Sequence, residues 1–237
     1  MIDNVFFAIE IIGVIAFAIS GALVAIHREN DWFGVLFLAL ITTFGGGIMR
    51  DLIIGVTPPR FFTSMPIHVT VCAATALAVF IFAAVFKSAY VRNEQTVKKI
   101  NNYFDAVGIA VFSVVSVRIV IDECGPDNAF LAITMGMISA IGGGILRDLI
   151  LRDIPFVLRK HVYAVAALAG AVLYYVLSVH LIGGSELGEL IAKISGVILV
   201  FVIRVLATVF KWNMPKAIIF SKMRQQTQKA EEDKLHS

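Results

Sequence analysis

Seven long runs of apolar residues restrict how this chain can fold. Each run can cross a lipid bilayer as a helix, which takes about 20 residues. With 59% apolar and only 16% charged residues among 237, the chain is too hydrophobic for a soluble domain. The sequence therefore predicts an all-α membrane protein with seven transmembrane helices. The predicted spans are residues 5–26, 33–56, 65–86, 103–121, 128–151, 161–181 and 190–211.

One nine-residue stretch occurs twice, in the second and the fifth predicted spans. Gly-Gly-Gly-Ile-Met-Arg-Asp-Leu-Ile at residues 45–53 returns at residues 142–150 with the methionine replaced by leucine. Glu10 in the first span corresponds in the same way to Asp105 in the fourth. Each half of the chain thus holds three helices, and because three is odd, the second half enters the membrane from the opposite side. We predict two inverted three-helix repeats followed by a seventh helix.

The domain boundaries follow from this division. We expect the first repeat at residues 1–90, a cytoplasmic linker at 91–102, the second repeat at 103–182, the seventh helix at 183–212 and a polar, partly disordered cytoplasmic tail at 213–237.

The distribution of lysine and arginine predicts the orientation. Arg28, Arg152 and most other loop and tail cations lie on one side of the predicted helices, and Arg60 lies on the other. Cytoplasmic loops of membrane proteins collect these residues. We therefore expect a multi-pass protein of a bacterial or archaeal plasma (inner) membrane, with the N-terminus outside and the C-terminus in the cytoplasm.

The two glycine triplets lie near the middle of their spans. Each glycine weakens a helix by about 1 kcal/mol relative to alanine, and a helix broken at that depth needs protein or a water-filled cavity beside its free backbone groups. We predict that the second and fifth helices are broken there and line a pathway, with close helix packing as the alternative. The predicted pore and helix-break residues are Gly45, Gly46, Gly47, Gly142, Gly143 and Gly144, with polar oxygens from Thr42, Thr43 and Ser139.

Charged residues inside the spans mark either a pathway or ion pairs that fix helix register. Neighbours on a helix do not face each other, so we expect Arg50 to pair with Glu10 and Arg147 to pair with Asp105. Arg204 in the seventh span is expected at a subunit interface. The predicted intramembrane charge pairs draw on Glu10, Arg50, Asp51, Asp105, Arg118, Arg147 and Asp148.

Catalytic and metal-binding motifs are not recognisable in the sequence. His68 and His161 lie at span entrances, where we interpret them as interfacial anchors, and Cys72 and Cys124 lack CxxC spacing. Neither HExxH nor GxSxG occurs, and no clustered basic face suits a nucleic acid. We therefore expect no enzyme activity, no metal, no cofactor and no nucleic-acid partner.

Two GGGxxRD motifs, each in the second helix of a three-helix unit, together with a seventh helix, resemble the prokaryotic relatives of the trimeric intracellular cation (TRIC) channels. The resemblance covers residues 3–212. It implies a homotrimer with one hourglass pore inside each protomer, lined by helices one, two, four and five and permeable to K⁺ or Na⁺. Animal members bind a phosphoinositide at a lysine-rich motif, whereas this chain has Arg-Asp, so lipid regulation is not implied and membrane lipid is expected as the surrounding partner.

A passive monovalent cation (potassium) channel is the function that we favour from the sequence. Bacterial members of this glycine-rich group have also been proposed as small-solute carriers, and an inverted repeat suits alternating access. A transporter of glycine-like amino acids is therefore the alternative. The arginines inside the spans would repel cations unless acids neutralise them.

Overall fold

A computed structural model describes residues 2–159, 162–182, 184–210 and 212 of the chain. These residues are helical apart from short turns and connections, and they include no strand. Seven of their helices are long and apolar enough to cross a membrane, which confirms the predicted all-α membrane fold. The predicted tail at 213–237 lies outside the described residues.

The first repeat and the connection after it contain five helices. They are α1 (Ile2–His27), α2 (Trp32–Ile53), the single-turn helix α3 (Arg60–Thr63), α4 (Pro66–Val85) and the short connecting helix α5 (Lys87–Arg92).

The second repeat has the same order, with two long helices, a single-turn helix and a third long helix. They are α6 (Glu94–Cys124), α7 (Ala129–Ile150), α8 (Phe156–Arg159) and α9 (Val162–Tyr175), which continues as a π-helix over Val176–Leu181. The seventh long helix is α10 (Glu186–Val209).

Corresponding side chains begin the second helix of each repeat. Asp31 Oδ1 accepts a hydrogen bond from Gly34 N at 2.8 Å, and Asn128 Oδ1 accepts one from Leu131 N at 3.0 Å. Each bond satisfies an amide that the helix leaves free at its N-terminus. Asp31 and Asn128 are as far apart in the chain as the two glycine triplets, so α2 and α7 start in the same register.

The predicted linker at residues 91–102 is helical over most of its length, because α6 already begins at Glu94. Lys98 Nζ lies 2.5 Å from Glu94 Oε1, one helical turn away. Such pairs stabilise exposed helices. The polar composition of this segment thus belongs to a solvated helix end rather than to a loop.

Corresponding helices of the two repeats meet at the centre of the molecule, where α1 packs against α6 and α2 packs against α7. The rings of Phe17 and Phe112 stack there with centroids 5.4 Å apart. A β-carbon at Gly108 would lie 2.2 Å from the Phe17 ring, and one at Gly13 would lie 3.3 Å from the Phe112 ring. These reciprocal contacts are those of two repeats related by a pseudo-twofold axis. Helix α10 packs against α9 and α6, beside the second repeat.

Candidate functional site

The glycine triplets lie where α2 crosses α7, and both helices continue through them without interruption. A β-carbon at Gly46 would lie 1.9 Å from the backbone oxygen of Ser139, and one at Gly143 would lie 2.0 Å from that of Thr42. Only glycine permits this contact between the two backbones. The predicted helix breaks are therefore wrong. Packing across the crossing offsets the low helix propensity of glycine, and the intrahelical hydrogen bonds remain in place.

The polar residues beside the triplets have different environments. Thr42 Oγ1 donates to Leu38 O at 2.6 Å and Thr43 Oγ1 donates to Ala39 O at 2.8 Å. Both hydroxyls thus bond back to their own helix, as threonine often does. Ser139 is 4% exposed, and its hydroxyl has no hydrogen-bond partner among the described residues.

Arg50 and Asp51 form a buried pair on α2. Arg50 Nε and Nη2 donate to Asp51 Oδ1 at 3.0 and 2.6 Å. Asp51 Oδ2 accepts the backbone N–H of Arg60 at 2.9 Å, at the start of α3. The remaining nitrogen of Arg50, Nη1, donates to Ser116 Oγ on α6 at 2.9 Å. One dipeptide therefore balances its own charge, holds the following loop and contacts the other repeat.

Arg147 and Asp148 repeat this arrangement on α7. Arg147 Nε and Nη2 donate to Asp148 Oδ1 at 2.9 and 2.8 Å. Asp148 Oδ2 accepts the N–H of Phe156 at 3.0 Å, at the start of α8, and Arg147 Nη1 donates to Ser20 Oγ on α1 at 3.4 Å. Each repeat thus sends its arginine to a serine on the first helix of the other.

The predicted pairs of Arg50 with Glu10 and of Arg147 with Asp105 are therefore not formed. The helix spacing rule describes where side chains leave the backbone, whereas an arginine side chain is long enough to turn back along its own helix. In a buried site the guanidinium then bonds to the nearest carboxylate, because an unpaired buried charge is costly.

Glu10 and Asp105 occupy corresponding positions but have different partners. Glu10 Oε2 lies 3.4 Å from His68 Nε2, near the start of α4. Asp105 lies 3.1 Å from Arg204 Nη2 on α10, and it also accepts a hydrogen bond from the Tyr163 hydroxyl at 3.0 Å. Arg204 also lies over the Tyr163 ring, 4.4 Å from its centroid.

Two further predictions are corrected by these contacts. Arg204 is 3% exposed and bonded within its own protomer, so it does not lie at a subunit interface. His68 is 8% exposed and faces Glu10, so it is not an interfacial anchor. His161 lies outside the described residues. Tyr163 is among the site residues that the sequence did not indicate, together with the serines that bind Arg50 and Arg147 and with Glu189, the α10 partner of Arg118. The sequence holds one indication of the role of Tyr163. It lies 95 residues after His68, just as Asp105 lies 95 residues after Glu10.

Arg118, near the far end of α6, is also neutralised. Its Nε lies 2.9 Å from Asp122 Oδ2, and its Nη1 lies 3.2 Å from Glu189 Oε1 on α10. The hydroxyls of Tyr174 and Ser178 donate to the same Glu189 carboxylate. Helix α10 therefore supplies an ion-pair partner near each end of the molecule, although it lies outside the repeats.

Two cavities, each lined in part by charged side chains, lie towards opposite faces of the glycine crossing. The narrow cavity, about 30 Å³, opens beside α3 and the start of α4, and it has room for about one water molecule. The wide cavity, about 380 Å³, lies towards the face that carries Arg28 and helix α5. The lining of the narrow cavity includes Glu10, Thr43, Arg50, Asp51, His68 and Ser139.

Charges around the wide cavity are also paired. Arg28 contacts Asp153, and Lys98 contacts Glu94. Burial raises the pKa of the Tyr90 phenol, as does the nearby charge of Glu94, so this side chain stays a neutral hydroxyl. Within the described part of the chain, no group of three histidine, cysteine or acidic side chains is arranged to hold a metal ion.

Inverted helical repeats are typical of proteins that carry small solutes across membranes, and here a cavity with charged side chains lies towards each face. The chain belongs to the family whose model is described as "Glycine transporter", and that model matches residues 7–84 and again residues 102–179. The double match corresponds to the two repeats.

Relatives and solved structures are consistent with this family. A UPF0126 membrane protein of Deinococcus radiodurans is 38% identical over 73% of this chain and 76% of its own length. The UPF0126 inner membrane protein YadS of Escherichia coli K12 is 35% identical over 77% of this chain and 86% of its own length.

Solved structures of TRIC channels share the whole fold. One, from work on conductance through TRIC cation channels, is 32% identical with a TM-score of 0.75 and covers 91% of this chain and 98% of its own. The TRIC orthologue from Rhodobacter sphaeroides is 32% identical with a TM-score of 0.73, covering 88% of this chain and 100% of its own. The chain is a homologue of the TRIC channels, which confirms the resemblance seen in the sequence.

Proposed function

We propose that the chain forms a passive channel for monovalent cations, K⁺ or Na⁺. The path runs inside one protomer, from the narrow cavity past the glycine crossing into the wide cavity. The solved structures that it resembles along almost their full length are described as cation channels, and this similarity supports the proposal.

Neutralisation of the arginines inside the spans is the observation that carries this proposal. Arg50 and Arg147 each donate two hydrogen bonds to the aspartate that follows them, and Arg118 contacts two acids. An unpaired guanidinium beside a narrow path would repel cations by several kcal/mol. With these charges balanced, Glu10 can attract cations to the narrow cavity.

The assembly and the orientation belong to the same proposal. One of the neighbouring structures is described as a trimeric intracellular cation channel, and this chain is proposed to form a homotrimer. One relative is described as an inner membrane protein. We place the wide cavity and its basic loops at the cytoplasmic face of the inner membrane, since cytoplasmic loops collect lysine and arginine.

Recordings from purified protein in planar bilayers test the proposal. Under a KCl gradient, discrete unitary currents should appear and should reverse near the potassium equilibrium potential. Replacement of K⁺ by Na⁺ then measures selectivity. Absence of unitary currents from protein that remains folded would contradict a channel.

A carrier of glycine or a similar amino acid is the second candidate. The inverted repeat suits alternating access as well as a static pore. The family description also names glycine. Saturable uptake of radiolabelled glycine into proteoliposomes that show no unitary currents would favour the carrier.

A further inference from the structure

The two repeats differ in how they hold the acid of their first helix. Glu10 and Asp105 are 95 positions apart, and so are the residues that approach them, His68 and Tyr163. The first repeat therefore has a histidine where the second has a tyrosine. The second repeat also receives Arg204 from α10.

This difference decides which acid responds to pH. An arginine stays charged at all physiological pH values, and a tyrosine hydroxyl remains a neutral donor. The charge of Asp105 is therefore balanced permanently. Histidine changes its charge between about pH 5 and pH 8, so the balance at Glu10 depends on the protonation of His68.

The geometry of His68 suits such a change. Its Nε2 atom is buried and 3.4 Å from Glu10 Oε2, yet it has no hydrogen-bond partner among the described residues. The Phe7 ring meets the imidazole edge-on, with centroids 5.3 Å apart. If His68 were protonated, its positively charged imidazole could donate from Nε2 to the Glu10 carboxylate in a charge-assisted hydrogen bond.

The other charges around His68 and Glu10 either have partners or lie farther away. Arg50 and Asp51 on α2 pair with each other, and Arg60 on α3 contacts Glu123. From α10, Lys193 acts on Glu10 at longer range while its ammonium lies 3.6 Å from the Phe6 ring centroid. None of these groups replaces His68 as the variable partner of Glu10.

We propose that His68 and Glu10 form a proton-operated switch of cation entry at the narrow cavity. With neutral His68, the Glu10 carboxylate attracts cations. With protonated His68, the imidazolium binds and neutralises that carboxylate, and the local cation concentration falls. The switch responds only to acid on the face of the narrow cavity. This inference rests on the proposed cation channel.

Single-channel recordings with separate pH control on each side test the switch. Acidification from pH 8 to pH 5 on the face of the narrow cavity should lower the conductance about three- to tenfold, the effect of removing one nearby negative charge. The same change on the other face should have no such effect. Equal responses from both faces would overturn the proposal.

Two variants of His68 isolate its role. His68→Tyr copies the second repeat, and His68→Gln keeps a polar side chain of similar size. Both should conduct at pH 8 and lose the fall in conductance at pH 5. The matched control is His180→Gln, which replaces an exposed histidine near the same face and should respond like the wild type. A full acid response in both His68 variants would overturn the switch.

Glu10→Gln supplies the converse test. It should conduct at all pH values about as weakly as the acidified wild type, because the attracting charge is gone. A wild-type pH response in this variant would also contradict the proposal. Silence of the wild-type protein at pH 8 would instead contradict the proposed channel itself, so the two failures are distinguishable.

Discussion

At the scale of single residues, each copy of the Arg-Asp dipeptide makes the same set of contacts with its surroundings. The arginine bonds to the next carboxylate and to a serine of the other repeat, while the second carboxylate oxygen holds the loop that follows. Buried charges are tolerated in this arrangement because every charge has a partner within hydrogen-bond distance.

Asp51→Asn should destabilise the protein strongly. The asparagine can still accept from Arg60 N, but the buried Arg50 then lacks its counter-charge, at a cost of about 3 kcal/mol. The melting temperature of the purified protein in detergent measures the loss. Asp122→Asn is the matched control, because it removes an exposed partner of Arg118, worth at most about 1 kcal/mol. Equal shifts in the two variants would contradict the structural role of Asp51.

Arg204→Met should destabilise the protein on its own, and much less when it is combined with Asp105→Asn. It leaves Asp105 buried without its cation, at a cost of about 3–5 kcal/mol. In the double variant Asp105→Asn, Arg204→Met, no uncompensated charge remains, so most of the lost melting temperature should return. If the double variant melts as low as the single one, packing of the arginine rather than its charge is what matters.

At the scale of helices, the sequence predicted the number of spans and their repetition correctly, whereas it did not predict the contacts between side chains. The seven spans and the duplication follow from hydrophobic length and from the copied motif, which depend on no tertiary contact. The breaks at Gly45–Gly47 and Gly142–Gly144 were wrong because packing between α2 and α7 outweighs intrinsic propensity. The partners of Arg50, Arg147 and Arg204 were missed because depth in the membrane does not give the direction of a long side chain.

Gly46→Ala should destabilise the crossing, since its methyl group would lie 1.9 Å from Ser139 O and force α2 away from α7. Gly47→Ala is the matched control in the same triplet. Its nearest neighbour would be Arg50 Nη2 at 3.8 Å, so the gain in helix propensity, up to about 1 kcal/mol, should appear. Melting temperatures of the two variants should move in opposite directions. A shift of equal size and sign would contradict packing as the reason for Gly46.

At the scale of the whole molecule, the two repeats have the same order of helices but differ in their cavities and in their contacts with α10. Both repeats place an arginine–aspartate pair at the end of their second helix, yet one cavity is narrow and the other is wide. Helix α10 packs beside the second repeat and supplies Arg204 only to Asp105. The two faces of the membrane therefore meet chemically different surfaces.

The native cysteines offer a test of the proposed orientation. Cys124 is exposed at the end of α6, towards the face of the narrow cavity, whereas Cys72 is buried in α4. A membrane-impermeant maleimide added to intact cells, after access through any outer membrane is ensured, should label Cys124 and spare Cys72. Cys124→Ser should abolish the label. Labelling of Cys124 only in inside-out vesicles would reverse the orientation.

Pairing each arginine with its own neighbour also matters for how the chain enters a membrane during synthesis. An isolated arginine costs about 3 kcal/mol at the centre of a span on insertion scales, and less near a helix end, where Arg50 and Arg147 lie. Here the counter-charge emerges from the ribosome as the next residue, so a segment can cancel its charge before any other helix arrives. Each three-helix unit therefore contains an Arg-Asp pair that is already neutral. When two such units in opposite orientations assemble, each arginine then donates to a serine of the other unit.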